Sequence, residues 1–199
     1  MLGLDRPSGG SVELYIGTGW YFSLILDDVM EVQSDLNILS MWSDDAAQQL
    51  KIKVDRDVLS SITNQCAALN RGATAGAISG NLNLGKTGTP LAVKQNPTAA
   101  EVGILDALMR LGQALDEQNI PEVGRWAVMP AWAGRYLKQS ELRQAYLSGD
   151  SVSMLRNGRL GQVDRFTLYV SNLLPGNASD ANFAANEWPI FAGHAHGLN

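Results

Sequence analysis

Cys66 is the only cysteine in the chain, so no internal disulfide can form, and the usage fits a reducing cytoplasm. The thiol itself reads as a small buried hydrophobe. Histidine is almost as scarce: only His194 and His196 are present. On a strand the two would share one side, but a metal site normally takes three or four protein ligands with supporting contacts. No acidic partner is nearby in sequence, so neither a metal site nor a catalytic histidine is expected. No serine sits in a G-x-S-x-G setting that would suggest a nucleophile elbow. The paired acids Asp27/Asp28, Asp44/Asp45 and Asp116/Glu117 are sequence neighbours, whereas glycosidase carboxylates meet across a cleft from separate elements. They read as capping or solvated charge, and no catalytic residue and no cofactor is expected.

Long apolar runs are missing as well. None approaches the roughly 20 residues that span a bilayer, so no membrane partner is expected. No basic-then-apolar leader is visible, and no signal peptide is expected. Positive charge is in deficit, with 15 basic against 20 acidic residues and a net charge of −5. That argues against a broad basic face that grips nucleic acid, although not against a wall around packaged DNA. Apolar residues at 45% and 199 residues in all suffice for a substantial core in one domain or two small ones.

The patterns that are present describe alternating strands and helices. Val12–Ile16 and Trp20–Leu26 are β-rich and separated by Gly-Thr-Gly, which predicts a hairpin. Ser43-Asp44-Asp45 offers an N-cap and first-turn acids for a helix reaching Leu69. Its apolar positions Leu50, Val54, Val58, Ile62, Cys66 and Leu69 rotate around the axis, which predicts contact with more than one neighbour. Arg71–Pro97 is rich in Gly, Ala, Thr and Asn and reads as a long loop or weak hairpin. Thr98 and Glu101 form a capping box for a helix with an apolar face at Ile104, Leu108, Leu111 and Leu115, ending near Asn119 before Pro121. A strand over Arg125–Met129, a helix over Ala131–Gln139 opened by Pro130, and a turn at Asn157-Gly158 follow. Phe166–Val170 reads as a strand, and Phe183–Ala192 as a shorter β-like run broken by Pro189. The five tryptophans are scattered, most of them expected in the core.

Gly80–Thr87 reads GNLNLGKT and matches the phosphate-loop pattern G-x-x-x-x-G-K-[ST] at every position. In such a site Lys86 would reach phosphate oxygens and Thr87 would hold a magnesium ion. The chemistry also requires a buried strand before the loop and a helix after it. Gly72–Ser79 is a poor buried strand, and Gly88-Thr89-Pro90 opposes a helix where one must begin. A glycine-rich surface loop is the better reading.

The order of short motifs resembles the major capsid (coat) proteins of tailed bacteriophages. The motifs are Leu115-Asp116-Glu117, Asn119-Ile120-Pro121, Arg125-Trp126 and Pro130, then Asn157-Gly158, Gly161, Tyr169, Ser171-Asn172 and Pro175. A weaker likeness covers Asp27-Asp28 to Val54-Asp55. Where such proteins often carry Gly ahead of the Phe-led strand, this chain has Asp164-Arg165-Phe166.

The resemblance implies an α+β fold of the tailed-phage and herpesvirus capsid type: a long spine helix on a twisted sheet, and an axial domain of helices around a small sheet. Residues 1–70 would hold peripheral-domain strands and the spine helix, 71–97 the loop or weak hairpin, and 98–199 the axial domain. The implied function is a structural, non-enzymatic protein that self-assembles through pentamers and hexamers into an icosahedral shell around a phage or prophage genome. Implied partners are other copies, a scaffolding protein, and packaged DNA held non-specifically. The implied place is the virion, assembled in the host cytoplasm. Residues implied to matter for structure or assembly are Asp116, Asn119, Pro121, Arg125, Trp126, Pro130, Gly158, Gly161, Tyr169, Asn172 and Pro175. The resemblance also implies a fragment lacking N- and C-terminal segments. Competing expectations are a nucleotide-binding enzyme using Gly80–Thr87, or another phage structural or decoration protein.

Overall fold

A computed structural model describes residues 17, 19–23, 25, 38–140, 161–176 and 185–194. The chain divides into two compact units, Met1–Val54 and Asp55–Asn199. The division falls inside a helix, α1 (Ile38–Gln65).

In the first unit, the described residues among 17–25 lie in no regular element. The strand expected over Trp20–Leu26 is therefore absent from its described part, and its partner Val12–Ile16 lies outside the described residues. Trp20 instead lies under a lysine, with Lys53 Nζ 4.4 Å from its ring centroid. Helix α1 starts five residues before Ser43, so Ser43-Asp44-Asp45 occupy the second turn rather than the cap. The chain ahead of Ser43 supplies Leu39, Met41 and Trp42, and Leu and Met are good helix formers. The helix also stops at Gln65, short of Leu69, and a 3₁₀ turn over Ala68–Asn70 follows. Its 28 residues span about 42 Å at 1.5 Å per residue. Ala46 is its one fully buried described side chain, while Val54 and Val58 are about half exposed. Apolar residues spread around the whole circumference leave no single face to bury, and most described side chains of the helix are exposed.

The second unit is built on a four-stranded sheet and two helices. The sheet has β3 (Arg125–Met129) at its centre, β5 (Phe166–Val170) parallel on one side and β6 (Phe191–His194) antiparallel on the other. β4 (Gln162–Val163) pairs with β5 through a two-residue turn. Outside it, β1 (Val93–Lys94) pairs in parallel with β2 (Val102–Gly103). The helices are α2 (Ile104–Glu117) and α3 (Ala131–Gln139). Ile104, Leu108 and Leu115 of α2 meet Ala127 and Met129 of β3, Phe166 and Leu168 of β5, and Ala133 and Leu137 of α3. Burying each of the larger side chains among them (Ile, Leu, Met, Phe) contributes roughly 1.5–3 kcal/mol.

Two expected boundaries move. The Thr98/Glu101 box forms, with Glu101 Oε2 accepting from Thr98 N at 3.1 Å and Thr98 Oγ1 at 3.0 Å. It closes a turn, because Val102 N donates to Ala92 O (2.8 Å) and the pairing of β2 with β1 delays the helix to Ile104. The last strand shifts past Pro189 to Phe191–His194, because proline cannot donate to the ladder that β3 offers.

The segment ahead of β1 folds back on itself. Isolated bridges join Gly72 to Gly85 and Ala75 to Leu82. Glu117 pins the tip to α2: its Oε2 accepts from Ile78 N (2.9 Å) and Ser79 N (3.0 Å), and its Oε1 from Gln113 (2.8 Å). Gly76 makes this approach feasible, since its φ is +97° and a Cβ there would lie 2.7 Å from Glu117 Oε2. Backbone donation from Ser79 and Ile78 lowers the Glu117 carboxyl from an ordinary 4.5 to about 2. A depressed carboxyl stabilises fully above 4.5, and this contribution is lost as pH falls through about 2. The Ile78 and Ser79 amide resonances should therefore titrate with a midpoint near pH 2 in NMR spectra, and Glu117→Gln should remove that titration. A midpoint at 4.5 or above would show that the contact is absent in solution.

Candidate functional site

The motif residues gather where α2 ends and β3 begins. Asn119 takes a left-handed φ of +56°. Its N–H donates to Asp116 O (2.9 Å), and Ile120 N donates to Leu115 O (3.1 Å). These two bonds are the Schellman pair, which satisfies the last carbonyls of a helix and favours Gly or Asn at the left-handed position. Ile120 packs on the core that includes Leu115, which completes the motif. Asn119→Ala should therefore lower stability by about 1 kcal/mol, while Asn119→Gly should be neutral within about 0.5 kcal/mol. Urea unfolding of both variants checks this.

The turn brings Arg125 back beneath the helix end. The residue is 1% exposed. Nε donates to Pro121 O at 2.9 Å, Nη2 donates to Ile120 O, and Nη1 lies 2.8 Å from Asp116 Oδ1. Arg165, in the β4–β5 turn, grips the same carboxylate from outside. It donates to Asp116 Oδ1 at 3.0 Å and Oδ2 at 2.6 Å, and also to Glu122 Oε1 at 2.9 Å. Burial pushes the Asp116 carboxyl up, but hydrogen bonds from Arg165 and then Arg125 outweigh it and hold the group below its ordinary range. Hydrogen bonding to Asp116 pushes Arg165 up from its own ordinary value.

The knot thus unites Asp116, Asn119, Pro121 and Arg125. The sequence motifs did not include Arg165 or Glu122. The available signal was the departure at Asp164-Arg165: Asp164 takes a φ of +53°, which a two-residue turn favours, and this turn aims the arginine at α2.

The other motif residues lie elsewhere. Trp126 covers Gly193 on the neighbouring strand, where a Cβ would fall 2.6 Å from the indole. Gly161 (φ +59°) precedes β4 and accepts from Leu168 N at 3.1 Å. Pro130, Tyr169, Asn172 and Pro175 sit at or beyond the opposite, C-terminal ends of the parallel pair β3 and β5. Pro130 caps α3, accepting from Ala133 N and Gly134 N, rather than forming its first residue. Tyr169 and Asn172 are exposed, whereas Pro175 is buried. Gly158 lies outside the described residues.

The Gly80–Thr87 segment has no phosphate cradle. No helix begins directly after it; the next one starts at Ile104. Several of the segment's amides are already committed: Leu82 N to Ala75 O, Leu84 N to Gly72 O, Gly85 N to Asn83 Oδ1 and Lys86 N to Thr89 O. The following Gly88 N donates to Glu187 Oε1 at 3.0 Å, placing a carboxylate beside the loop. His194 Nε2 lies 2.9 Å from Val123 O, and His196 lies outside the described residues. Among the described residues, no group of three or more His, Cys, Asp or Glu side chains could hold a metal, and no helix is long and apolar enough to cross a membrane.

Comparison with known proteins gives one consistent picture. A family model described as phage capsid protein matches residues 20–197. A structure from Mycobacterium phage Che8 is similar in fold at 20% identity with a TM-score of 0.56, over 86% of this chain and 51% of that one. A capsid structure of the cyanophage P-SCSP1u is similar at 19% identity with a TM-score of 0.54, over 90% of this chain and 60% of that one. The chain thus spans about half the length of the first and 60% of the second. No curated protein matches the sequence.

Proposed function

Because the chain belongs to the phage capsid protein family, we propose that it is a structural subunit of the icosahedral shell around a phage or prophage genome. The family match over residues 20–197 carries this reading. Copies associate with copies through pentamers and hexamers, and closure follows from symmetry. The subunit acts without catalysis, as part of a virion assembled in the host cytoplasm, with scaffold assistance and only non-specific contact with DNA. The net charge of −5 supports a wall that does not bind DNA tightly.

The knot around Asp116 serves this role by rigidity. It locks the helix end, the turn and two strands together, so that surfaces at the far end of the sheet keep their shape during association. Tyr169 and Asn172 are the motif residues placed there for contact with other copies. In domain terms, residues 1–70 supply the peripheral part with the spine helix, 71–97 the connecting hairpin, and 98–199 the axial part.

Sedimentation velocity over a wide concentration range tests the proposal. Species larger than a monomer should grow with concentration, and ATP with magnesium should leave the melting temperature unchanged. A nucleotide enzyme would instead gain about 2.7 kcal/mol at ligand 100-fold above its dissociation constant.

A further inference from the structure

Residues 72–88 lie against α2 as a strap with little share in the core. Among the described residues, the strap's ladder is its own: Gly72 N donates to Gly85 O (2.7 Å), Leu84 N to Gly72 O (2.9 Å), and Ala75 and Leu82 exchange bonds of 2.9 and 3.0 Å. Its apolar contact is a small separate cluster in which Ala75 and Leu82 meet Ala114 of α2, with Leu84 beside them. None of its residues belongs to the main core shared by α2, α3 and the sheet.

Side chains of the frame fasten it. Along one stripe of α2, Arg110 Nη1 donates to Asn83 O (3.3 Å), and Glu117 Oε2 accepts from Ile78 N and Ser79 N while Gln113 steadies the carboxylate. From the approach to β6, Glu187 Oε1 accepts from Gly88 N (3.0 Å). A backbone bond from Gly76 N to Leu69 O (2.9 Å) joins the strap to the turn before it. The two ends are suited to turning: Gly72 and Gly88 hold left-handed φ of +88° and +82°, and no Cβ resists rotation there. Five glycines in 17 residues also raise the entropy that ordering removes. A part with few buried apolar contacts opens at a lower free energy than the core it rests on.

We propose that residues 72–88 form a hinged strap that swings off α2 as one unit, with Glu117 as its latch, while the sheet and α2 and α3 stay folded. Leu84, Gly85, Lys86 and Thr87 of the strap form one wall of a cleft of about 880 Å³ whose other walls include Leu108, Leu111 and Trp132. Release of the latch therefore opens that cleft and bares Ala114. The subunit has a movable part beside a fixed frame, and this holds whether or not copies assemble.

Hydrogen exchange of the full chain, read amide by amide, tests it. In the unaltered protein the amides of Ala75, Leu82 and Leu84 should exchange at least about tenfold faster than those of β3. Leu168→Ala weakens the main core outside the strap's own cluster. It should speed the β3 amides by at least about tenfold, while the strap amides change by less than about twofold. Low urea should separate the two sets in the same way without a substitution, because opening the strap exposes far less surface than unfolding does. Glu117→Ala should speed Ala75, Leu82 and Leu84, whose own bonds do not involve Glu117, by one common factor of about tenfold. Strap amides that follow β3 in Leu168→Ala or in urea overturn the proposal, as does a Glu117→Ala response confined to Ile78 and Ser79.

Discussion

Arg125→Ala is expected to lower the unfolding free energy by about 3 kcal/mol, at the low end of the range for breaking a buried charged pair. The Arg125 side chain is fully buried and serves two backbone carbonyls and a carboxylate at once. Its removal leaves the Ile120 and Pro121 carbonyls without that donor beneath the turn. Asp116 retains Arg165 and its side chain is 40% exposed, which keeps the loss from being larger. Arg125→Lys should recover only part, since an ammonium lacks the planar fork that reaches all three acceptors. Arg165→Ala should cost clearly less than Arg125→Ala, because that pair faces water and is screened by it. Urea unfolding of the three variants checks the order. Equal and small losses at Arg125 and Arg165 would show that the knot is surface decoration.

Leu108→Asp is expected to leave no soluble folded protein. Leu108 is 2% exposed and sits among Ile104, Ala133, Leu137 and Phe166 in the shared core. An unpaired carboxylate there costs several kcal/mol on top of the lost packing. Domains of this size hold only about 5–15 kcal/mol in total. Leu108→Ala should fold but lose about 2–5 kcal/mol. Circular dichroism with thermal melting reads both. A Leu108→Asp protein melting like the unaltered chain would overturn the assignment of this face to the core.

The second half of the fold was legible because its local signals agree with its packing. Arg125–Met129, Ala131–Gln139 and Phe166–Val170 occupy their expected ranges, since alternation and helical spacing there match the side each element buries. Asn119-Ile120-Pro121 marked the helix end, although sequence alone could not reveal the Schellman bonds that make Asn119 useful. Elsewhere long-range pairing won over local chemistry. β1 took the amides that would have begun a helix at Thr98, and β3 drew the last strand beyond Pro189. Helix α1 ran past its apparent cap because Ser43 and the following acids tolerate helix on an exposed surface. The pairing of Arg165 with Asp116 was not legible because nothing local joins them, 49 residues apart in sequence.

The central claim is self-assembly into a shell. Negative-stain electron microscopy of the purified chain at high concentration tests it most directly. The account predicts rings of five or six, sheets or closed shells. A uniform field of small monomeric particles at every concentration would contradict it.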